Sequence, residues 1–178
     1  MRHILGKVIS TIKIIILNIR NNATKIGLRN SYLASGVTIE CRKGGSLIAK
    51  GLSTGRYVHI ATSGSLVIGF DVYINRNSII VCHESISIGN GSIFGPNVCI
   101  YDHDHKISAN GKEKGFNCSA VMIGNNCWIG AGAIILRGTI LGDNCVVGAG
   151  TVVQGNIPSN SLVISDRSLT VSSLKGRS

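Results

Sequence analysis

Over the second half of the chain an aliphatic side chain returns every six residues: Ile123, Ile129, Ile135, Leu141, Val147 and Val153. Four residues after each of the first five stands a small side chain, namely Cys127, Ala133, Thr139, Cys145 and Thr151. A six-residue period fits neither an amphipathic helix, which repeats at about 3.6, nor one long strand, which repeats at about 2. It fits a coil of short strands, each ending in a tight corner. Within a strand the faces alternate. The aliphatic and the small residue two places before it therefore point inward, and the residue between them points out. Gly124-Asn125-Asn126 and Gly142-Asp143-Asn144 stand at corners, where turns with unusual backbone angles call for Gly, Asn and Asp. Three such units make one triangular coil of eighteen residues, so positions eighteen apart stack. The pattern predicts an all-β fold, a parallel β-helix of hexapeptide repeats.

The beat also runs earlier. Ile68, Ile74 and Ile80 form one set, with Val72 and Ser78 in the small slots, and Ile88, Phe94 and Ile100 form another, with Ser92 and Val98. Between Ile100 and Ile123 the count is broken by the polar stretch 106–118, which reads as a loop thrown out from the coil. Upstream the pattern weakens, and Val37, Ile39, Ile48 and Ile60 are assigned to irregular first coils. The expected organisation is an N-terminal helix over 1–22, a β-helix over 30–160 and a tail over 161–178, the beat being lost after Ile157-Pro158.

A chain of 178 residues is one domain's worth, and a chain with 4% aromatics must build its core from stacked aliphatics. The formal net charge of +10 favours anionic ligands such as a phosphorylated cofactor, an acidic glycan or an anionic membrane surface. No recognition motif supports nucleic acid. The six cysteines show no CxxC spacing, which suits a reducing cytoplasm. Cys82, Cys99 and Cys118 lie near the candidate site, without a dedicated partner that would mark a nucleophile.

At the N-terminus Ile4, Leu5, Val8, Ile9, Ile12, Ile15, Ile16 and Ile19 recur at helical spacing, with Arg2, Lys7, Lys13 and Arg20 elsewhere on the wheel. The segment is too interrupted by charge to span a bilayer. Two arrangements compete: a helix capping the open end of the coil, the favoured one, and peripheral membrane contact through residues 1–20.

Chemistry concentrates in Ile100-Tyr101-Asp102-His103-Asp104-His105, where the regular coil gives way to the loop. Histidine is the natural general base near neutral pH. His103 and His105 point the same way if the strand continues, and their roles separate if the chain turns first. A zinc held by His83, His103 and His105 is a weaker alternative, because H-x-H spacing is permissive; His3 and His59 read as surface residues. A second constellation is Ile129-Gly130-Ala131-Gly132 and Val147-Gly148-Ala149-Gly150, eighteen residues apart and therefore stacked at one corner. Trp128, the only tryptophan, points outward beside these bare corners, where an indole covers a ligand or a partner. Outward Met122, Ile134, Ile140, Val146 and Val152 add apolar surface that points to oligomerisation.

These residues resemble the hexapeptide-repeat acyltransferases, within them the maltose and galactoside O-acetyltransferase group and its polysaccharide O-acetyltransferase relatives. The likeness runs over 60–162 and is carried by Ile93-Phe94-Gly95-Pro96-Asn97-Val98 leading into Tyr101 to His105, by Ile123-Gly124-Asn125-Asn126-Cys127-Trp128-Ile129-Gly130, and by Val147-Gly148-Ala149-Gly150 and Ile157-Pro158-Ser159-Asn160. The resemblance implies a left-handed coil, a homotrimer with active sites between subunits, and acetyl-CoA as co-substrate. By position it makes His105 the catalytic base and assigns Asn75, His83, Glu84, Tyr101 and His103 to the acceptor. It assigns Trp128, Gly130, Ala131, Gly148, Ala149, Gln154 and Gly155 to coenzyme A, with no metal. The family's basic ending is replaced by Ser165-Asp166-Arg167-Ser168-Leu169, leaving Arg167 or Lys175 as candidate partners of the coenzyme phosphates. The expected function is acetyl-CoA-dependent O-acetylation of a sugar hydroxyl in a surface polysaccharide or its precursor, by direct transfer, in the cytoplasm or at the inner face of the membrane. The alternative is N-acetylation of a nucleotide-linked amino sugar. A zinc enzyme and a non-catalytic scaffold are more distant rivals.

Overall fold

The computed structural model describes residues 2–165, with side chains from Ile4 onward. An N-terminal helix, Arg2–Arg20, leads into a left-handed parallel β-helix. Among the described residues the coil has three flat sides. The first sheet has seven strands, from Thr24–Ile26 to Asn156–Ile157; the second has six, from Leu52–Thr54 to Leu162–Val163; the third has six, from Thr38–Cys41 to Val152–Val153. The chain visits them in that cyclic order, so each turn of the coil passes three edges. The eighteen-residue stacking is observed directly: Met122 pairs with Ile140, Trp128 with Val146 and Ile134 with Val152. Earlier coils are longer, with Leu47 opposite Leu66 and Leu66 opposite Ile86, because their first- and third-sheet strands run to four residues rather than two.

All six aliphatics of the beat and the five small residues between them are buried. Each buried aliphatic contributes about 1.5–3 kcal/mol by leaving water. Small inward slots also take polar side chains when the neighbouring coil satisfies them: the Ser92 hydroxyl donates to the Gly124 carbonyl and accepts from the Cys127 N–H. Corners are set by backbone conformation. Asn77, Asn97, Gly132 and Gly150 hold equivalent left-handed positions, with φ of 58°, 59°, 68° and 62°.

Ile48 lies in the early-coil strand Ser46–Ala49, as assigned, and faces out, because Leu47 and Ala49 take the inward positions. Two expectations need correction. The coil continues past residue 160: Leu162–Val163 pairs with Val146–Val147, so the ladder outlasts the hydrophobic beat. The segment after Ile100 is a hairpin rather than a loop, His103–Ser108 running antiparallel to Gly111–Cys118 with an irregularity between His105 and Ile107. The helix does pack on the open end, but not by its apolar stripe. Ser10 and Ile14 are buried there. The Ser10 hydroxyl accepts the Leu33 N–H at 2.7 Å, Asn18 exchanges two hydrogen bonds with the Ile26 backbone, and the Lys13 ammonium donates to the Val37 carbonyl.

Candidate active site

The edge where the third sheet turns toward the first carries the histidines. Asp102 follows the third-sheet strand Cys99–Tyr101 and is completely buried. Its carboxylate accepts N–H groups from His83 at 2.8 Å, Glu84 at 2.7 Å and Ser85 at 2.9 Å, and faces His103 Nδ1 at 3.1 Å. Burial by itself would raise the Asp102 pKa, but the amides of His83 and Glu84 and the His103 ring outweigh it and hold the carboxyl below its ordinary value. One buried anion thus ties the root of the hairpin to the coil beneath.

Because the strand continues through Ser108, His103 and His105 share one face of it. The Phe116 ring, opposite His105 in the hairpin register, packs against both, at 5.0 Å from His103 and 4.9 Å from His105. His83 stacks on His103 at 3.9 Å between centroids and also meets Phe116 at 4.4 Å. Its pKa is lowered, first by burial and then by the neighbouring His103, with Asp102 opposing. His105 is the most open of the three and borders a recess of about 320 Å³ with Lys112, Glu113, Lys114, Gly115 and Phe116. Tyr101 is edge-on to His103 at 6.1 Å. Asp104 pairs with Arg137, one coil further on. Among the described residues no group of three or more His, Cys, Asp or Glu side chains is arranged to hold a metal ion; His83 and His103 lie face to face instead of converging.

Beneath this edge the Cys82 thiol is pushed up to about 12, first by burial and then by the Asp102 charge. It stays protonated near neutral pH and is a poor nucleophile. Burial also raises the exposed hairpin Cys118 above its ordinary value, with Asp102 and Glu84 adding to it.

The edge between the second and third sheets carries the other predicted residues. Asn75, Gly95, Gly130 and Gly148 stack there, joined by Asn75 N–H to the Phe94 carbonyl, Gly95 N–H to Ile129 and Gly130 N–H to Val147. The glycines serve the coil itself: a Cβ on Gly130 would meet the Ala149 nitrogen at 2.5 Å, and one on Gly95 the Ala131 nitrogen at 2.6 Å. What this edge offers to solvent is Ala131 and Ala149, both exposed. Trp128 stands outward on the second sheet beside them, 58% exposed, between Ile93 and Val146 of the adjacent coils. Asn75 Oδ1 accepts the Arg76 N–H at 2.8 Å and lies 3.3 Å from the Tyr73 hydroxyl.

The predicted residues therefore form two groups on one chain. His83, Glu84, Tyr101, His103 and His105 gather at the histidine edge. Asn75, Trp128, Gly130, Ala131, Gly148 and Ala149 gather at the indole edge, with the third sheet between the two. Gln154 and Gly155 belong to the histidine edge, where Gln154 Nε2 donates to the Arg137 carbonyl. Arg167 and Lys175 lie outside the described residues. Phe116 and Arg137 were not singled out from the sequence. Phe116 had one available signal, as one of three phenylalanines, set in an otherwise polar insertion.

Comparisons with known proteins agree with this architecture. A family model described as the hexapeptide repeat of succinyl-transferase matches residues 120–154. A probable acetyltransferase of Mycobacterium tuberculosis is 37% identical over 123 residues, 64% of this chain and 41% of the relative. The galactoside O-acetyltransferase of Lactococcus lactis is 37% identical over 107 residues, 60% of this chain and 48% of the relative. The chain spans about half the length of the curated relatives it matches. Among solved structures it is similar to AntD, an N-acyltransferase from Bacillus cereus in complex with dTDP-4-amino-4,6-dideoxyglucose and coenzyme A. That match has a TM-score of 0.70 over 84% of each chain at 14% identity, which is a likeness of fold.

Proposed function

We propose, from its similarity to hexapeptide-repeat acetyltransferases, that this chain moves an acetyl group from acetyl-CoA to a sugar hydroxyl of a surface polysaccharide or its precursor. The reaction runs at sites completed between copies of the chain in a homotrimer. The acceptor oxygen attacks the thioester carbonyl while His105 takes its proton. The carbon–oxygen bond forms, the carbon–sulfur bond breaks, and the departing thiolate recovers the proton from the imidazolium. General-base assistance of this kind is worth on the order of 10²–10⁴-fold, and a backbone N–H aimed at the developing oxyanion adds a few kcal/mol. The buried, high-pKa Cys82 supports direct transfer without a thioester intermediate on that residue.

The observation that carries this reading is the histidine edge itself. Two imidazoles share one strand face, anchored by a buried anion and opening on a recess beside His105. Asn75, Trp128 and the exposed alanines of the indole edge would receive acetyl-CoA and acceptor from the neighbouring copy, and the outward apolar side chains Met122, Ile140 and Val152 supply contact surface. One contact favours a second reading of the base: His103, not His105, faces the Asp102 carboxylate, which orients its ring.

The test is release of free thiol from acetyl-CoA against a panel of glycans and sugar nucleotides. Hydroxyl acceptors should support turnover. Dependence on an amino group of a sugar nucleotide would replace the O-acetyl reading with the N-acetyl one. Absence of turnover and of coenzyme binding would sink both. His105→Ala should lower kcat by about 10²–10⁴-fold with coenzyme affinity retained; if His103→Ala produces that loss and His105→Ala does not, the base is His103.

A further inference from the structure

The N-terminal helix docks on the coil with the wrong face outward for a simple cap. Ile4, Leu5, Val8, Ile9, Ile12, Ile15, Ile16 and Ile19 are all exposed, from 39% at Ile15 to 74% at Ile19. At about 100° per residue these eight positions fill one continuous arc of roughly 140°, directly opposite the stripe of Ser10, Ile14 and Leu17 that meets the coil. An arc of isoleucine and leucine left in water is a strong demand for a covering surface.

Charge identifies the cover. Residues 1–50 hold nine Lys or Arg against a single acid, Glu40, which is itself paired with Arg42 at 3.2 Å. The helix contains no acidic residue. Lys7 and Arg20 are exposed at the two margins of the apolar arc, and Lys25, Arg29, Arg42 and Lys43 are exposed on the adjoining turns. Lys25 and Lys50 also border a recess of about 440 Å³ with Asn18 and Asn22 beside the helix. An apolar strip bordered by cations matches an anionic bilayer, in which acyl chains receive the strip and headgroup phosphates meet the basic rim. No helix among the described residues is long and apolar enough to cross a membrane, so the contact is with the surface.

We propose that the outward face of the N-terminal helix lies on an anionic membrane surface, holding the long axis of the helix parallel to the bilayer. The proposal rests on the exposed arc and its basic border and is independent of the transfer chemistry. Lys13 does not take part, since its ammonium is committed to the Val37 carbonyl.

The test is co-flotation of the full chain with vesicles of phosphatidylcholine alone and of phosphatidylcholine containing phosphatidylglycerol, at low and high salt. Retention should require the anionic lipid, weaken as salt rises, and fall on the order of tenfold or more in Ile12→Glu/Ile16→Glu. Both side chains point to solvent, so this variant should keep the parent melting temperature. No retention on anionic vesicles at low salt overturns the proposal, as does retention that the double variant leaves unchanged. If the parent is not retained and the double variant instead lowers the oligomeric mass in sedimentation velocity, the face joins copies of the chain and the membrane assignment is wrong.

Discussion

Asp102→Asn keeps the shape of the side chain and removes its charge, so its consequences can be worked from the bonds present. The carboxylate satisfies three successive backbone donors, His83, Glu84 and Ser85, and faces the His103 ring. Asparagine offers one acceptor oxygen. With that oxygen in the place of Oδ2 it still accepts from Glu84, Ser85 and His83, the last at 3.0 Å, but its NH2 takes the place of Oδ1, 2.8 Å from the His83 nitrogen, donor against donor. Loss of charge assistance on the three surviving bonds costs about 1 kcal/mol each, and the donor–donor contact removes the shorter of the two His83 bonds. The sum is about 3 kcal/mol, a large part of the roughly 5–15 kcal/mol that holds a domain folded. Urea unfolding at neutral pH, followed by far-ultraviolet circular dichroism, reads this as a lower midpoint at unchanged slope. Hydrogen exchange should locate the effect at the amides of residues 83–85 before it appears elsewhere. A loss below about 1 kcal/mol with unchanged exchange there would refute the assignment of Asp102 as the anchor of the hairpin root.

The same groups set an acid response. The folded-state pKa of His83 lies below its ordinary 6.5, so the unfolded chain binds that proton more readily and stability should decline as pH falls below about 6.5. The folded-state pKa of Asp102 is also depressed, so its contribution is complete above about pH 4 and is lost as pH falls through the folded value. Melting temperature against pH should show both declines, and His83→Phe should remove the upper one while sparing the lower; persistence of both in that variant would contradict the assignment. Gly130→Ala drives a Cβ to 2.5 Å from the Ala149 nitrogen and should cost about 1–3 kcal/mol of stability in urea unfolding, whereas an unchanged midpoint would mean the stacked corners can spread.

The coil was readable because its period is strict. Aliphatics spaced by six and small residues between them leave few other ways to bury the same side chains, and from Ile123 to Val153 each inward position is where the spacing puts it. The beat weakened upstream for a physical reason: four-residue strands present two inward positions and two outward ones, so Ile48 could be outward without breaking alternation. The histidine run was legible as chemistry. Its support was not, because Asp102 is held by amides of the preceding coil, and backbone donors leave no mark in the sequence. The hairpin was hidden by its composition, since residues 111–118 are exposed throughout and carry no alternating apolar face. The orientation of the N-terminal helix ran against the usual rule that the apolar stripe faces the protein. Polar side chains, Ser10 and Asn18, turned it the other way by satisfying backbone groups at the end of the coil.

The central functional claim is that the histidine edge of one copy works with the indole edge of another. Subunit complementation tests it directly. His105→Ala and Trp128→Ala proteins, each with most acetyl transfer lost, are unfolded together, refolded as a mixture and assayed for thiol release. If the two edges meet between copies, random mixing in a trimer leaves about a quarter of the sites with both groups intact, and activity should rise to about that fraction of the parent. Activity no greater than the sum of the separate variants would mean that both groups act within one chain, and the account of the site would be wrong.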